Sequence, residues 1–429
     1  MLNRDIFVIG FMLFALFFGA GNLIYPPTLG IESGTAYWSA IAGFILTGVG
    51  LPILAVMAIS YVKDDARELA EKVHPLFGVL FTSIIYLAIG PFFGIPRAAT
   101  VGYEMSIEPI PTIGSSYSSL FIFTTIFFVL VLLVSYNPSK VVDRIGQILT
   151  PILLLAIVVL SIGAIFLLEG PLSIPSEKYS TAPFFTGFVE GYLTMDAIAA
   201  LAFGIIVVNA FKERGLTNQQ DIMKSTLKAG IITGIALSTV YAAIGWLGTK
   251  MASHGTFTNG GNILSEAANL TFDFYGSIIL GIIVTLACFT TSVGLVVAAG
   301  QFFSKVTSFS YNMVIIIVTI GSWLIANQGL DTIIAFSVPV LVFIYPIAIV
   351  LILLSFTRKL FSDSKGVYRG AILFTALISL YDGLNAFGLS LDGITPIISK
   401  LPFFDIGLGW LIPAIIGGLL GALFRKQKI

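Results

Sequence analysis

Polar groups interrupt apolar runs at three places in this chain, and each could hold a small ion or a zwitterion. The first is Gly19-Ala20-Gly21-Asn22, followed closely by Pro26-Pro27. In a helix interior glycine costs about 1 kcal/mol and proline about 3 kcal/mol relative to alanine, so the cluster should locally open a helix. Opened backbone offers N–H groups to an anion and carbonyls to a cation. Close helix packing through small residues is the competing reading of the same glycines. The second place is Glu190-Gly191-Tyr192-Leu193-Thr194-Met195-Asp196. Asp196 lies about twelve residues, roughly 18 Å, from the edge of its run. A carboxylate that deep costs about 3 kcal/mol on insertion scales, so it should face a cavity or a partner. Glu190 stands nearer the edge and reads as structural. The third place is Thr290-Thr291-Ser292. Hydroxyls can bond back to their own helix. Three in series fan around the helix, however, so at least one should face inward, and their oxygens suit a hard cation such as sodium.

A fourth feature is Arg97, in Gly90-Pro91-Phe92-Phe93-Gly94-Ile95-Pro96-Arg97. It either snorkels to the outer edge or pairs with an acid such as Glu104 or Glu190. Asp382 and Asp392 fall near outer helix ends and should be solvated. An intramembrane aspartyl protease would need Asp196 and Asp382 together, which this topology disfavours. Cys288 is the single cysteine, and His74 and His254 are far apart, so a metal-binding framework is not expected. No organic cofactor is implied.

These groups need elements that hold them in lipid. The 429 residues are 57% hydrophobic and 10% charged, too few charges to cover a soluble surface. Mean hydropathy is +1.00. Net charge is zero, which argues against a nucleic-acid partner. Spans of roughly 20 apolar residues fall near 6–30, 37–61, 76–103, 118–136, 144–168, 184–211, 228–250, 274–303, 311–327, 332–356, 369–388 and 404–424. The expected fold is all-α and polytopic, with about twelve transmembrane helices. The longest outer connection, Lys250 to Asp273, should carry a short helix around 262–270.

Lysine and arginine orient the spans. With the N-terminus inside, the cytoplasmic set is Arg4, Lys63, Arg67, Lys72, Lys140, Arg144, Lys212, Arg214, Lys224, Lys228, Lys305, Arg358, Lys359, Lys365, Arg369, Arg425, Lys426 and Lys428. Only Lys178, Lys250 and Lys400 fall outside, and Arg97 lies within a span. Both termini are thus expected in the cytoplasm, with the chain in the inner (cytoplasmic) membrane. The unusual spans are the first and the sixth, which suggests two five-span units in opposite orientation, a transporter pattern. The chain then forms one transporter domain over 1–429, with repeats over 1–170 and 180–357 and appended helices over 366–429.

Three stretches carry a family likeness: Gly19-Ala20-Gly21-Asn22-Leu23-Ile24-Tyr25-Pro26-Pro27, Gly90 to Thr100, and Glu190 to Asp196. The chain resembles the bacterial branched-chain amino acid:cation symporters, the BrnQ-type carriers, over essentially its whole length. That family belongs with the amino acid–polyamine–organocation transporters of LeuT-type fold. The resemblance implies sodium-coupled uptake of leucine, isoleucine and valine, with sodium as the coupling ion. It implies a core of spans 1–10 in two inverted repeats, with two helices appended. The Gly19-Ala20-Gly21-Asn22 stretch matches a break that holds a substrate carboxylate, through the N–H groups of Ala20 and Gly21. By offset, carbonyls of Ala15 and Phe18 would face sodium, completed by Thr290 and Thr291, with Ser292 as an alternative in the same series. The substrate ammonium would meet carbonyls near Phe17 and in the opened stretch from Tyr192 through Thr194 to Met195, with Asp196 beside it. A proton-coupled carrier of the same fold, working through Asp196, is the alternative reading.

Overall fold

The computed structural model describes residues 3–62, 66–113, 116–136, 140–168 and 170–423. Of the basic residues used to orient the spans, Lys63, Arg425, Lys426 and Lys428 lie outside these, as do the side chains of Lys140 and Arg144. Among the described residues every regular element is a helix. The first span is split into α1 (Asn3–Phe17) and α2 (Ala20–Ser33). Next come α3 (Tyr37–Ile45) and α4 (Leu51–Ile59), joined by a π-type turn, and the short α5 (Ala66–Glu71). α6 (Pro75–Leu87) and α7 (Gly94–Ser106) flank a second π-type turn, kinked at Gly90. Beyond them lie α8 (Tyr117–Tyr136), α9 (Lys140–Leu167) and the one-turn α10 (Glu177–Ser180). The sixth span is split into α11 (Pro183–Glu190) and α12 (Asp196–Glu213). The rest is α13 (Gln219–Met251), α14 (Gly260–Val306), α15 (Tyr311–Ala326), α16 (Leu330–Thr357), α17 (Lys365–Ala386), the short α18 (Thr395–Ile398) and α19 (Leu411–Leu423).

Each of the twelve expected apolar runs carries helix among the described residues, the last of them chiefly over Leu411–Leu423. Among the described residues, seven helical stretches are long and apolar enough to cross a membrane, and the bent sixth span makes an eighth. One of the seven, Ala20–Ile59, is 40 residues long and turns at Gly34, whose φ of 48° suits a residue without Cβ. Large apolar side chains such as Ile126, Leu133, Leu155 and Phe166 stand exposed on the bundle, as a lipid-facing surface requires. The chain is a multi-pass α-helical membrane protein. α14 is interrupted at Phe272 and Asp273, which separates the short helix expected around 262–270 from the span that follows.

The packing has an exchange pattern. Both halves of the first span, α1 and α2, lie against α13, the seventh. Both halves of the sixth, α11 and α12, lie against α3 and α4, the second. α7 packs along α14. The contacts are backbone to backbone: a Cβ on Gly43 of α3 would stand 1.8 Å from the Phe184 carbonyl oxygen, and one on Gly187 of α11 would stand 1.9 Å from that of Ala40. At the other seam, a Cβ on Gly30 of α2 would be 2.0 Å from the Gly245 oxygen. No other residue type fits such approaches, which is how helices associate in lipid without a hydrophobic driving force.

Two expectations are corrected. Pro26 and Pro27 take no part in opening the helix; α2 runs through both. Proline fixes φ near its helical value, and its cost is the missing N–H donor. The close seam with α13 holds the helix there, so the opening is confined to Phe18 and Gly19. Asp382 is half-buried rather than solvated, because α17 is packed against α16 and α19; Asp392 is exposed as expected.

Candidate functional site

The break in the first span is built from Gly19 and Asn22. Gly19 is extended (φ −128°, ψ −170°), and α2 starts at the next residue. Its N–H donates to Asn22 Oδ1 at 3.0 Å, and the Asn22 N–H donates to the Gly19 carbonyl at 3.1 Å. In a continuous helix the Gly19 N–H would have served the Ala15 carbonyl. That carbonyl is released, while the N–H groups of Ala20 and Gly21, first in α2, have no preceding turn to accept them. A positive helix end and released carbonyls thus stand side by side.

The break in the sixth span differs. After α11, Gly191–Thr194 form a tight 3₁₀ turn and Met195 is left-handed (φ 66°, ψ 5°). The two parts of the span meet at 48°. Asp196 opens α12, where the helix dipole favours a carboxylate. Its Oδ2 accepts from Asn22 Nδ2 at 2.6 Å and from the Tyr241 hydroxyl at 3.0 Å. Asn22 Nδ2 also contacts the Tyr241 oxygen. Asn22 and Asp196 are 1% and 3% exposed, so this link between the two breaks is fully buried. Thr47, in the π-type turn of the second span, donates to the Phe188 carbonyl at 2.7 Å and seats Gly191, where a Cβ would lie 1.9 Å from its Oγ1.

Arg97 neither snorkels nor pairs with Glu104 or Glu190. It is 4% exposed. Nη1 donates to the Leu193 carbonyl at 2.8 Å and the Tyr25 hydroxyl at 3.1 Å, and Nη2 donates to the Thr194 carbonyl at 3.3 Å. The kink at Gly90 and the restart of the helix at Gly94 bring it inward to carbonyls that the 3₁₀ turn leaves open. Glu190 instead pairs with Lys178 at 2.5 Å, and Lys178 also reaches Glu32 at 3.5 Å. Burial works against the Lys178 charge, but Glu190 and Glu32 outweigh it and hold the ammonium above the ordinary lysine range.

Of the residues expected at the site, Gly19, Ala20, Gly21, Asn22, Thr194, Met195, Asp196 and Thr291 line one cavity with Arg97. Leu16, Phe17, Ile89, Ala98, Ala199, Phe203 and Leu295 supply its apolar wall. Its volume is about 50 Å³, well under the several hundred typical of open ligand pockets. Tyr192 is not on the wall: the 3₁₀ turn sends its ring onto Tyr345, stacked at 4.7 Å. Phe18 stacks on Phe14 at 5.1 Å, and neither its side chain nor that of Ala15 reaches the cavity. Among the three hydroxyls the helical step brings only Thr291 to the cavity, beside Gly19. Thr290 and Thr291 both donate to the Ala287 carbonyl, at 2.9 and 3.0 Å. Ser292 is buried behind them, and its Oγ has no hydrogen-bond partner among the described residues. Asp382 is not on the cavity wall with Asp196, so no paired acids form.

Tyr241 and Tyr25 went unnoticed in the sequence. A tyrosine in an apolar span looks like core, and its hydroxyl gives no sign of its partner. Both are seen only once Asn22, Asp196 and Arg97 are in place.

Comparison with known proteins agrees with this arrangement. Solved structures with similar folds include Mhp1, a nucleobase-cation-symport-1 family transporter, in a closed conformation (TM-score 0.65, 13% identity, covering 97% of this chain and 91% of that one). MhsT in complex with L-phenylalanine is another (TM-score 0.58, 14% identity, 98% of each chain). At such identities the likeness is one of fold, the LeuT type. In sequence, the chain is 47% identical to the branched-chain amino acid permease BraB of Bacillus subtilis, over 97% of this chain and 95% of that one. It is 42% identical to the branched-chain amino acid transport system 2 carrier protein of Pseudomonas aeruginosa (98% and 95%). It is 39% identical to the permease BrnQ of Escherichia coli K12 (99% and 96%). These relatives are named as permeases and carriers, not enzymes. The family model described as branched-chain amino acid transport protein matches residues 2–428, and with two broken spans joined over a buried cavity the chain belongs to that family of transporters.

Proposed function

We propose that this protein imports leucine, isoleucine and valine across the cytoplasmic membrane by sodium-coupled alternating access, with both termini in the cytoplasm. One observation carries the reading: the start of α2 and the opened turn before α12 face one cavity and are tied together by Asn22 and Asp196. A zwitterion must shed water at both ends. The N–H groups of Ala20 and Gly21 replace it at the carboxylate, while Thr194, Met195 and Asp196 supply oxygens for the ammonium. The apolar wall takes the aliphatic side chain. Discrimination among the three substrates should be weak, because one methylene is worth about 1–3 kcal/mol. The exchange pattern of the packing supports two inverted five-span repeats, over 1–170 and 180–357.

The residues fit a sodium ion. The turn of Gly19 releases the Ala15 carbonyl, and Thr291 stands beside it. The Phe18 carbonyl would add a further oxygen, an oxygen-only set that suits a hard cation, while Thr290 and Ser292 lie off the cavity wall. A sodium ion entering a cell contributes about 2.3 kcal/mol per 100 mV of membrane potential.

Uptake of labelled leucine into proteoliposomes tests the reading. A sodium gradient should drive accumulation, choline in its place should not, and isoleucine and valine should compete. Uptake indifferent to sodium would sink the coupling, and no uptake of any of the three would sink the substrate. A second reading is favoured by Asp196, a buried carboxylate with no cation within ion-pair distance among the described residues: coupling to protons through that group. An Asp196→Asn protein that keeps full proton-driven uptake removes it.

A further inference from the structure

Arg97 carries more than its hydrogen bonds account for. The guanidinium has five N–H donors. It makes three hydrogen bonds, all to neutral oxygens, and its buried Nε has no acceptor among the described residues. No carboxylate lies within ion-pair distance of it among those residues. A buried charge left uncompensated is costly, and proteins ordinarily pair it. If its task were only to cap the Leu193 and Thr194 carbonyls, a neutral amide would serve without that penalty.

The missing countercharge has an obvious place to come from. Among the described residues, Arg97 is the one cation on the cavity wall and Asp196 the one anion. A Cβ on Gly21 would stand 2.5 Å from Arg97 Nη2 and 3.0 Å from Cζ, so the guanidinium lies close against the backbone that opens α2. A carboxylate seated on the first N–H groups of α2 would therefore also reach Arg97.

We propose that Arg97 receives the carboxylate of the transported amino acid, as a cation fixed in the protein. The proposal rests on the amino-acid transport reading above. The ligand it selects carries both charges: an anion for Arg97 and a cation for Asp196. A neutral or singly charged analogue of the same shape leaves one buried charge unpaired and should be rejected. Guanidinium also suits a planar carboxylate better than ammonium does, because it can donate two parallel hydrogen bonds.

The test compares leucine with leucinamide, which keeps the ammonium and side chain but lacks the carboxylate. Dissociation constants are measured by thermal-shift titration of the purified full-length protein, at mildly acidic pH where both amines are protonated. The unmodified protein should prefer leucine. In Arg97→Gln, leucine should weaken about tenfold or more beyond any weakening of leucinamide, so the preference collapses. Equal weakening of both ligands would mean a structural role and overturn the proposal. Should Arg97→Gln fail to fold, Arg97→Lys should narrow the preference without abolishing it; an unchanged preference overturns the proposal. A measurement on the unmodified protein adds an independent check: if the preference for leucine falls to unity when choline replaces sodium, sodium and not Arg97 partners the carboxylate. An unmodified protein that binds neither ligand fails differently, by overturning the transport reading itself.

Discussion

The first and sixth spans are both opened at mid-length, but by opposite means. The first opens at Gly19, in an extended conformation that any residue can adopt, and the gap is closed off locally by Asn22. The sixth opens at Met195, in a left-handed conformation that costs a residue with a Cβ about 1–2 kcal/mol. Little in its own sequence compels that bend. It is held from outside, by Arg97 on the Leu193 and Thr194 carbonyls, by Thr47 on the Phe188 carbonyl, and by Asn22 and Tyr241 on Asp196. A break can thus be written into a segment or imposed on it by neighbours. Only the first kind announces itself in sequence.

Substitutions can press on this contrast. The largest effect is expected from Gly21→Ala. Its methyl would meet Arg97 Nη2 at 2.5 Å and the Thr194 oxygen at 3.2 Å, so it displaces the support of the sixth span from within the first. Misplacing a site by about 1 Å can cost about a hundredfold, and leucine uptake should fall by that order. Uptake within threefold of the unmodified protein would mean that the two breaks are not coupled there.

Asn22→Ala comes next. It leaves the Gly19 N–H without its acceptor and removes one donor from Asp196. A buried polar group left unsatisfied costs about 1–3 kcal/mol, so uptake should drop roughly ten- to a hundredfold. A conservative Asn22→Asp, which keeps the acceptor but sets two carboxylates together, should not rescue it. Full activity in either would show that the link between the breaks is incidental.

Lys178→Met tests the ends of the same two spans. It removes the bridge from Glu190 to Glu32, which lies partly in solvent. Such pairs are worth about 0–1 kcal/mol, so a small drop in melting temperature is expected, with leucine affinity changed less than threefold. A large loss of uptake at unchanged stability would assign the bridge a part in transport.

Gly19→Ala should matter least. Nothing comes closer than 3.8 Å to the added methyl, and the backbone conformation is open to alanine. The one penalty is that alanine favours a continuous helix by about 1 kcal/mol, which corresponds to about fivefold. A loss as deep as that of Gly21→Ala would mean that the first break depends on glycine itself, and the contrast drawn above would fail.

How much could be read beforehand follows the same division. Gly19, Gly21 and Asn22 interrupt an apolar run, so the first break was visible in its own residues; in the sixth span Asp196 marked the place but not the bend, and the all-helical class and the interruption of α14 before its span were legible from the apolar runs. Arg97 was visible as an anomaly but not as a solution. Its partners Leu193 and Thr194 are 96 and 97 residues away and offer carbonyls, which every residue has. Pro26 and Pro27 misled for a related reason: the neighbours of α2, and not its own preferences, decide whether it continues. Tyr192 has the right position in the chain but the wrong direction in space, since a tight turn rotates side chains differently from the helix it interrupts.

The glycine seams have a mechanical consequence. Where one helix backbone rests in the groove of another, with no side chain between them, the pair cannot slide without a collision of main-chain atoms. α2 is keyed in this way to α13, and α11 to α3. Shear along those seams is closed off, so each half-helix must travel with its partner as a single lever. Any motion is then left to the breaks between the half-helices, of which Gly19 is one.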